Sequence, residues 1–134
     1  MSARLLGRAI AAMVAGGAFL YASAASALEF QEYTPEAFAA AQAEGGPIVI
    51  DVHAVWCPTC QAQRAVMEQL AEDERFDGVV VFVIDYDNEK PYMRMHRVSE
   101  RSTLISFIGT QEIERLYAVT TYVGIEAFFL SIVE

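Results

Sequence analysis

Two short, uninterrupted runs of β-branched and aromatic residues, Ile48-Val49-Ile50-Asp51-Val52 and Val79 to Ile84, constrain the fold of this chain more than any other feature. A run that is apolar almost throughout has no polar face to turn to water, so each predicts a strand covered on both sides, as in a parallel sheet. Between them, Cys60 to about Glu74 carries Ala62, Val66, Met67 and Leu70 at helical spacing. Strand, helix, strand in that order predicts a right-handed crossover.

The rest of the chain extends this unit on both sides. Glu29 to Tyr33 predicts a short edge strand, and Thr34-Pro35-Glu36 a helix start with Thr34 as N-cap and Pro35 at the first helical position. That helix should reach about Glu44 and stop at Gly45-Gly46. Pro91 to about Val98 predicts a short helix and Thr103 to Ile108 a strand, turning at Gly109-Thr110 into a hairpin partner, Glu112 to Tyr117. A last helix from about Thr121 shows an apolar face of Ile125, Phe128, Phe129 and Ile132. The expected order, β-α-β-α-β-α-β-β-α, describes an α/β domain: a central mixed sheet flanked by helices, with three parallel strands and a closing antiparallel hairpin.

Residues 1–27 read as a secretory signal and are set apart from the domain, 28–134. Arg4 and Arg8 form a positive start, Ala9 to Tyr21 an apolar stretch, and Ala25-Ser26-Ala27 a small-residue cleavage site. The rival reading keeps Ala9 to Leu28 as an uncleaved membrane anchor, because 20 residues just span a bilayer. Export implies a periplasmic or secreted protein, with membrane attachment only if the segment is retained. Beyond Ala27, 18 acidic residues face seven basic ones, a net charge of −11 that argues against nucleic acid and anionic lipid as partners.

Cys57 and Cys60 are the only cysteines, three positions apart. A structural disulfide is the ordinary use of a pair in an exported protein, but a loop this tight stabilises by only about 2 kcal/mol, against about 4.7 for a hundred-residue loop. Reactivity is the better explanation: the second sulfur lies beside the first and resolves any mixed disulfide.

With Trp56-Cys57-Pro58-Thr59-Cys60 placed directly after a buried strand and opening a helix, the domain resembles the thioredoxin superfamily over essentially all of residues 28–134. The resemblance implies the thioredoxin fold and thiol-disulfide exchange with partner-protein thiols and disulfides and an upstream redox partner, and no cofactor or resident metal. It implies Cys57 as nucleophile, acidified at a helix start, and Cys60 as resolving thiol. Asp51, six residues before Cys57, takes the place of the family's buried acid/base, and an unpaired carboxylate there should have a raised pKa. Trp56, Arg101, Ser102 and Thr103 fall where the family binds substrate.

Three departures bear on that transfer. Serine replaces the family's cis-proline at Ser102, so the Arg101-Ser102 peptide should be trans and its amide an available donor. The helix-kinking proline appears as Ala65, and the glycine usual after the last strand is missing around Ala118-Val119. Lys90, Arg94, Arg97 and Arg101 are spaced to share one side of a helix, with Arg101 brought near Cys57 by the family alignment.

Two other classes compete. A copper carrier would draw on Cys57, Cys60, His53, His96, Met93 and Met95, since thiolate and thioether suit Cu(I). A redox-inert adaptor of the same fold would hold a partner without turnover. Haem attachment is excluded, because Gln61 follows Cys60 where histidine is needed.

Overall fold

The computed structural model describes residues 27–134; the segment read as an export signal lies, apart from Ala27, outside them. Strands β1 (Glu29–Glu32), β2 (Pro47–His53), β3 (Val80–Asp85), β4 (Thr103–Ile108) and β5 (Gln111–Tyr117) form one sheet in the order β1-β3-β2-β4-β5. β1, β3 and β2 run parallel, while β4 is antiparallel to β2 and to β5. Helices α1 (Pro35–Glu44), α2 (Pro58–Leu70), α3 (Lys90–Met95) and α4 (Tyr122–Leu130) cover its faces, with a 3-10 turn at Glu74–Phe76. This is the expected order and the expected mixed sheet.

Alternation along the strands divides the core in two. Val49, Val81 and Leu104 pack with Val66, Met67 and Leu70 of α2 and Ile125, Phe128 and Phe129 of α4. Ile48, Ile50, Val52, Phe82, Ile84 and Ile105 pack on the opposite side with Phe38 of α1 and Tyr92 and Met93 of α3. β2 is therefore buried on both faces at the centre of the sheet, and the chain leaving its C-terminal end carries the two cysteines.

Local chemistry accounts for the element ends. Thr34 caps α1 as predicted, its hydroxyl accepting from the Ala37 amide, and Gly45 closes the helix at φ +78°. α2 begins two residues earlier than expected because the Cys57 sulfur is itself the N-cap and Pro58 follows at the first helical position. It also ends early, at Leu70, where Asp73 caps the 3-10 turn by accepting from the Arg75 amide. α3 stops at Met95, and Arg97 takes φ +54°. Lys90, Arg94, Arg97 and Arg101 consequently do not share one helical side: the backbone reverses hand before the last of them. In the β4–β5 hairpin Gly109 takes φ +57° and donates its amide to Gly46 O, and an added Cβ there would stand 3.3 Å from Gly45 Cα.

Candidate active site

The two thiols occupy the junction between β2 and α2. Cys57 Sγ accepts a hydrogen bond from the Cys60 amide at 3.2 Å, so the sulfur itself satisfies one of the unpaired amides at the helix start. Cys57 is 2 % exposed and Cys60 fully buried, and both are free thiols. Burial by itself pushes the Cys57 thiol up, but it is outweighed by hydrogen bonds from the Cys60 thiol, the Ser102 hydroxyl, the Cys60 amide and Arg101, which bring it down to about 7. The Cys60 thiol moves the other way, raised by burial and by its hydrogen bond to Cys57. The neighbouring sulfurs thus differ in acidity in the sense that a nucleophile and a resolving thiol require.

Ser102 closes the site from the opposite side. It precedes β4, is 3 % exposed, and places Oγ 3.3 Å from Cys57 Sγ and 3.1 Å from Cys60 Sγ. No peptide among the described residues is cis, so the Arg101-Ser102 bond is trans as expected. The Ser102 amide, however, is not available to a partner: it donates to Val52 O at 2.9 Å. The residue sits at φ +60°, a region disfavoured for any side chain, and Ala118 beside it at φ +55°. Ala118 therefore adopts the hand that the absent glycine would have taken freely. Its amide donates to Ser102 O at 2.9 Å.

Gln63, which the sequence reading passed over, locks this corner. It is fully buried, and its Nε2 donates to Ser102 O and to Val119 O, each at 3.1 Å. A polar residue three after Cys60, on the sheet-facing side of an otherwise apolar helix face, was the available signal.

Asp51 is fully buried on β2, but it is not alone. Its Oδ2 lies 3.3 Å from Arg64 Nη2 and 3.8 Å from His53 Nδ1, while Oδ1 has no hydrogen-bond partner among the described residues. Burial raises its pKa, opposed by the charges of Arg64 and His53. Arg64 also covers the Phe30 ring at 4.3 Å. The sequence signal was spacing: Arg64 stands one helical turn beyond Cys60 and on the same side.

At the surface Trp56 is 54 % exposed, anchored by Nε1 donating to Asp87 Oδ2 at 2.9 Å, with the Arg101 guanidinium 4.8 Å from its ring centre. Arg101 therefore does approach the site, from above the tryptophan. Thr103 is nearly buried and its hydroxyl donates to Glu100 O at 2.8 Å. The suggested copper ligands do not assemble. Met93 lies in the core, Met95 is exposed, and His96 stacks on Tyr92 at 4.2 Å. Among the described residues no group of three or more His, Cys, Asp and Glu side chains stands close enough to hold a metal ion.

Residues 29–108 match the family model described as thioredoxin-like. The chain belongs to the thioredoxin-like family. It is 36 % identical over 63 residues to the thiol:disulfide interchange protein DsbE of Haemophilus influenzae, a match covering 47 % of this chain and 30 % of that protein. With the thioredoxin of Mycobacterium tuberculosis it shares 31 % identity over 70 residues, covering 52 % of this chain and 60 % of the other. The chain thus spans less than two thirds of these curated relatives. Among solved structures, the protein Trxlp of Edwardsiella tarda superposes with a TM-score of 0.73 at 33 % identity, covering 75 % of this chain and 98 % of that one. A mutant thioredoxin of Halobacterium salinarum, at TM-score 0.70 and 22 % identity over 82 % of this chain and 96 % of its own, shares the fold.

Proposed function

We propose that this protein is an exported thiol-disulfide oxidoreductase that exchanges disulfides with partner proteins through Cys57 and Cys60. The observation that carries the reading is the Cys57 thiol brought down to about 7 at the N-cap of α2, with the less acidic Cys60 buried one turn behind it. At neutral pH such a thiol is substantially thiolate, the species that attacks disulfides.

The Cys57 thiolate forms a bond to one sulfur of a partner disulfide, whose other sulfur leaves with the bonding pair. Cys60 then loses its proton and bonds to Cys57, and the partner's second sulfur departs and is protonated. The partner is reduced by two electrons and the cysteine pair oxidised. Asp51, the buried carboxylate of β2, is assigned as the acid/base that takes the Cys60 proton, held between Arg64 and His53. The exposed Trp56 and the half-buried Arg101 offer the surface on which a partner rests, with the buried Ser102 and Thr103 beneath it. A cleft of about 330 Å³ is lined by Phe30, Tyr33, His53, Val55 and Asp85, among others, but by neither cysteine. Cys57, 2 % exposed beside the exposed Trp56, can be met by a partner disulfide only where that partner docks against the protein surface. The signal-like segment at residues 1–27 and the similarity to a DsbE protein support export, to the periplasm or outside the cell.

Reduction of a protein disulfide should disappear in Cys57→Ser, while Cys60→Ser should accumulate a mixed disulfide with its substrate. Retained turnover in Cys57→Ser would refute the assignment. The reduction potential of the pair then separates a reductant, about −270 mV, from an oxidant, about −120 mV.

A further inference from the structure

A serine hydroxyl has one hydrogen to donate, and at Ser102 two sulfurs lie within its reach, Cys57 at 3.3 Å and Cys60 at 3.1 Å. The residue is 3 % exposed, which leaves little room for water to take over either bond. We propose that Ser102 is a catalytic residue whose single hydrogen serves the two sulfurs in turn, Cys57 before attack and Cys60 during resolution. This rests on the exchange reading above.

Before attack the charge is on Cys57, and a thiolate is a far stronger acceptor than a neutral thiol. The hydroxyl then donates to Cys57, alongside the Cys60 S–H. Once Cys57 is bonded to a partner sulfur its charge is gone and the donor has lost its acceptor. Rotation about Cβ–Oγ alone redirects the hydrogen to Cys60, which is the sulfur that must now ionise. Cys60 gives up its proton, its electron pair forms the bond to Cys57, and the partner sulfur leaves with the pair of the broken bond and is protonated. In the opposite direction, a partner thiolate attacking Cys57 of the disulfide expels Cys60 as the anion beside the same donor.

The backbone is built for this. Ser102 is held by its amide on Val52 O and by its carbonyl accepting from Ala118 N and Gln63 Nε2. These bonds fix a left-handed conformation that a free chain would leave. What remains mobile is the hydroxyl torsion. Gln63 is then a positioning residue.

Ser102→Gly removes the hydroxyl while glycine adopts φ +60° readily, so the variant should fold; Ser102→Ala provides a second test. Reduced protein is mixed with excess 5,5′-dithiobis(2-nitrobenzoate) in a stopped-flow instrument. The first nitrothiolate released reports attack by Cys57 and the second reports resolution by Cys60. In both variants the pH midpoint of the fast phase should rise by about one unit, the loss of one charge-assisted hydrogen bond. The slow phase near neutral pH should fall about threefold, a tenfold loss of thiolate partly offset by the greater nucleophilicity of a more basic sulfur. A change in only one phase, or in neither, overturns the shared donor. Absence of both phases in the unaltered protein would overturn the exchange reading itself, and this inference with it.

Discussion

Replacing Arg64 by methionine tests whether the buried carboxylate at Asp51 is held by charge or merely by packing. Asp51 is fully buried and Arg64 is its nearest cation, 3.3 Å away with 24 % of its side chain exposed. Methionine keeps much of the stem over Phe30 but removes the charge, and stranding one member of a buried pair costs about 3–5 kcal/mol. Protonation sets a ceiling on that loss. A carboxyl that stays neutral in the folded state at pH 7 costs about 1.4 kcal/mol for each of the roughly three pH units above its unfolded pKa, about 4 kcal/mol in all. The sign follows from the raised folded pKa of Asp51. The folded state holds this proton to higher pH than the unfolded chain, so the contribution to stability is most favourable at low pH and declines as pH rises through the folded pKa. Losing Arg64 raises that pKa further and prolongs the decline. Urea unfolding of the two proteins should therefore nearly coincide at about pH 4.5, apart from about 0.5–1 kcal/mol for the lost stacking on Phe30, and diverge by about 3 kcal/mol near pH 7.5. Measured against Asp51→Asn alone, the double variant Asp51→Asn, Arg64→Met should show no such pH-dependent divergence. A loss equal at both pH values, or a slope surviving in the double variant, would refute the electrostatic account.

Two further outcomes are expected. Alkylation of Cys57 by iodoacetamide should titrate with a midpoint of about 7, and its depressed pKa means that the thiolate's contribution to stability is present above the ordinary thiol range and lost as pH falls through that midpoint; a midpoint above about 8.5 would show an unactivated thiol. Gly124→Ala, a change that would favour an ordinary helix, should instead destabilise by about 1–2 kcal/mol in thermal unfolding, because the new Cβ meets Val119 Cγ1 at 2.7 Å and the capping Thr121 Oγ1 at 2.8 Å; a raised melting temperature would show that the α4 cap yields freely.

Most of the fold was legible because its signals are local. The two apolar, β-branched runs carry the pattern of covered strands, and they lie side by side as β2 and β3. Thr34 could be read as a cap because its partner, the Ala37 amide, is three residues away. The ends of α2 were less legible, since the cap at its start is a cysteine sulfur, not a usual capping residue, and its end depends on Asp73 favouring a different turn. The basic residues from Lys90 to Arg101 would lie along one side if that segment were helical throughout, and nothing local announces the left-handed backbone at Arg97 that prevents it.

By itself, the sequence determined which residues are the candidates for the chemistry: two cysteines one helical turn apart after a buried strand, with a tryptophan before them and an aspartate on the strand. Tertiary structure alone decided how those groups are tuned. Arg64 meets Asp51 across 13 residues and Gln63 meets Ser102 across 39, while the Ser102 oxygen reaches two sulfurs more than 40 residues away. Residue type and spacing set what a side chain is able to do, whereas hydrogen bonding and burial, which shift its acidity, depend on neighbours that only the folded sheet brings within reach.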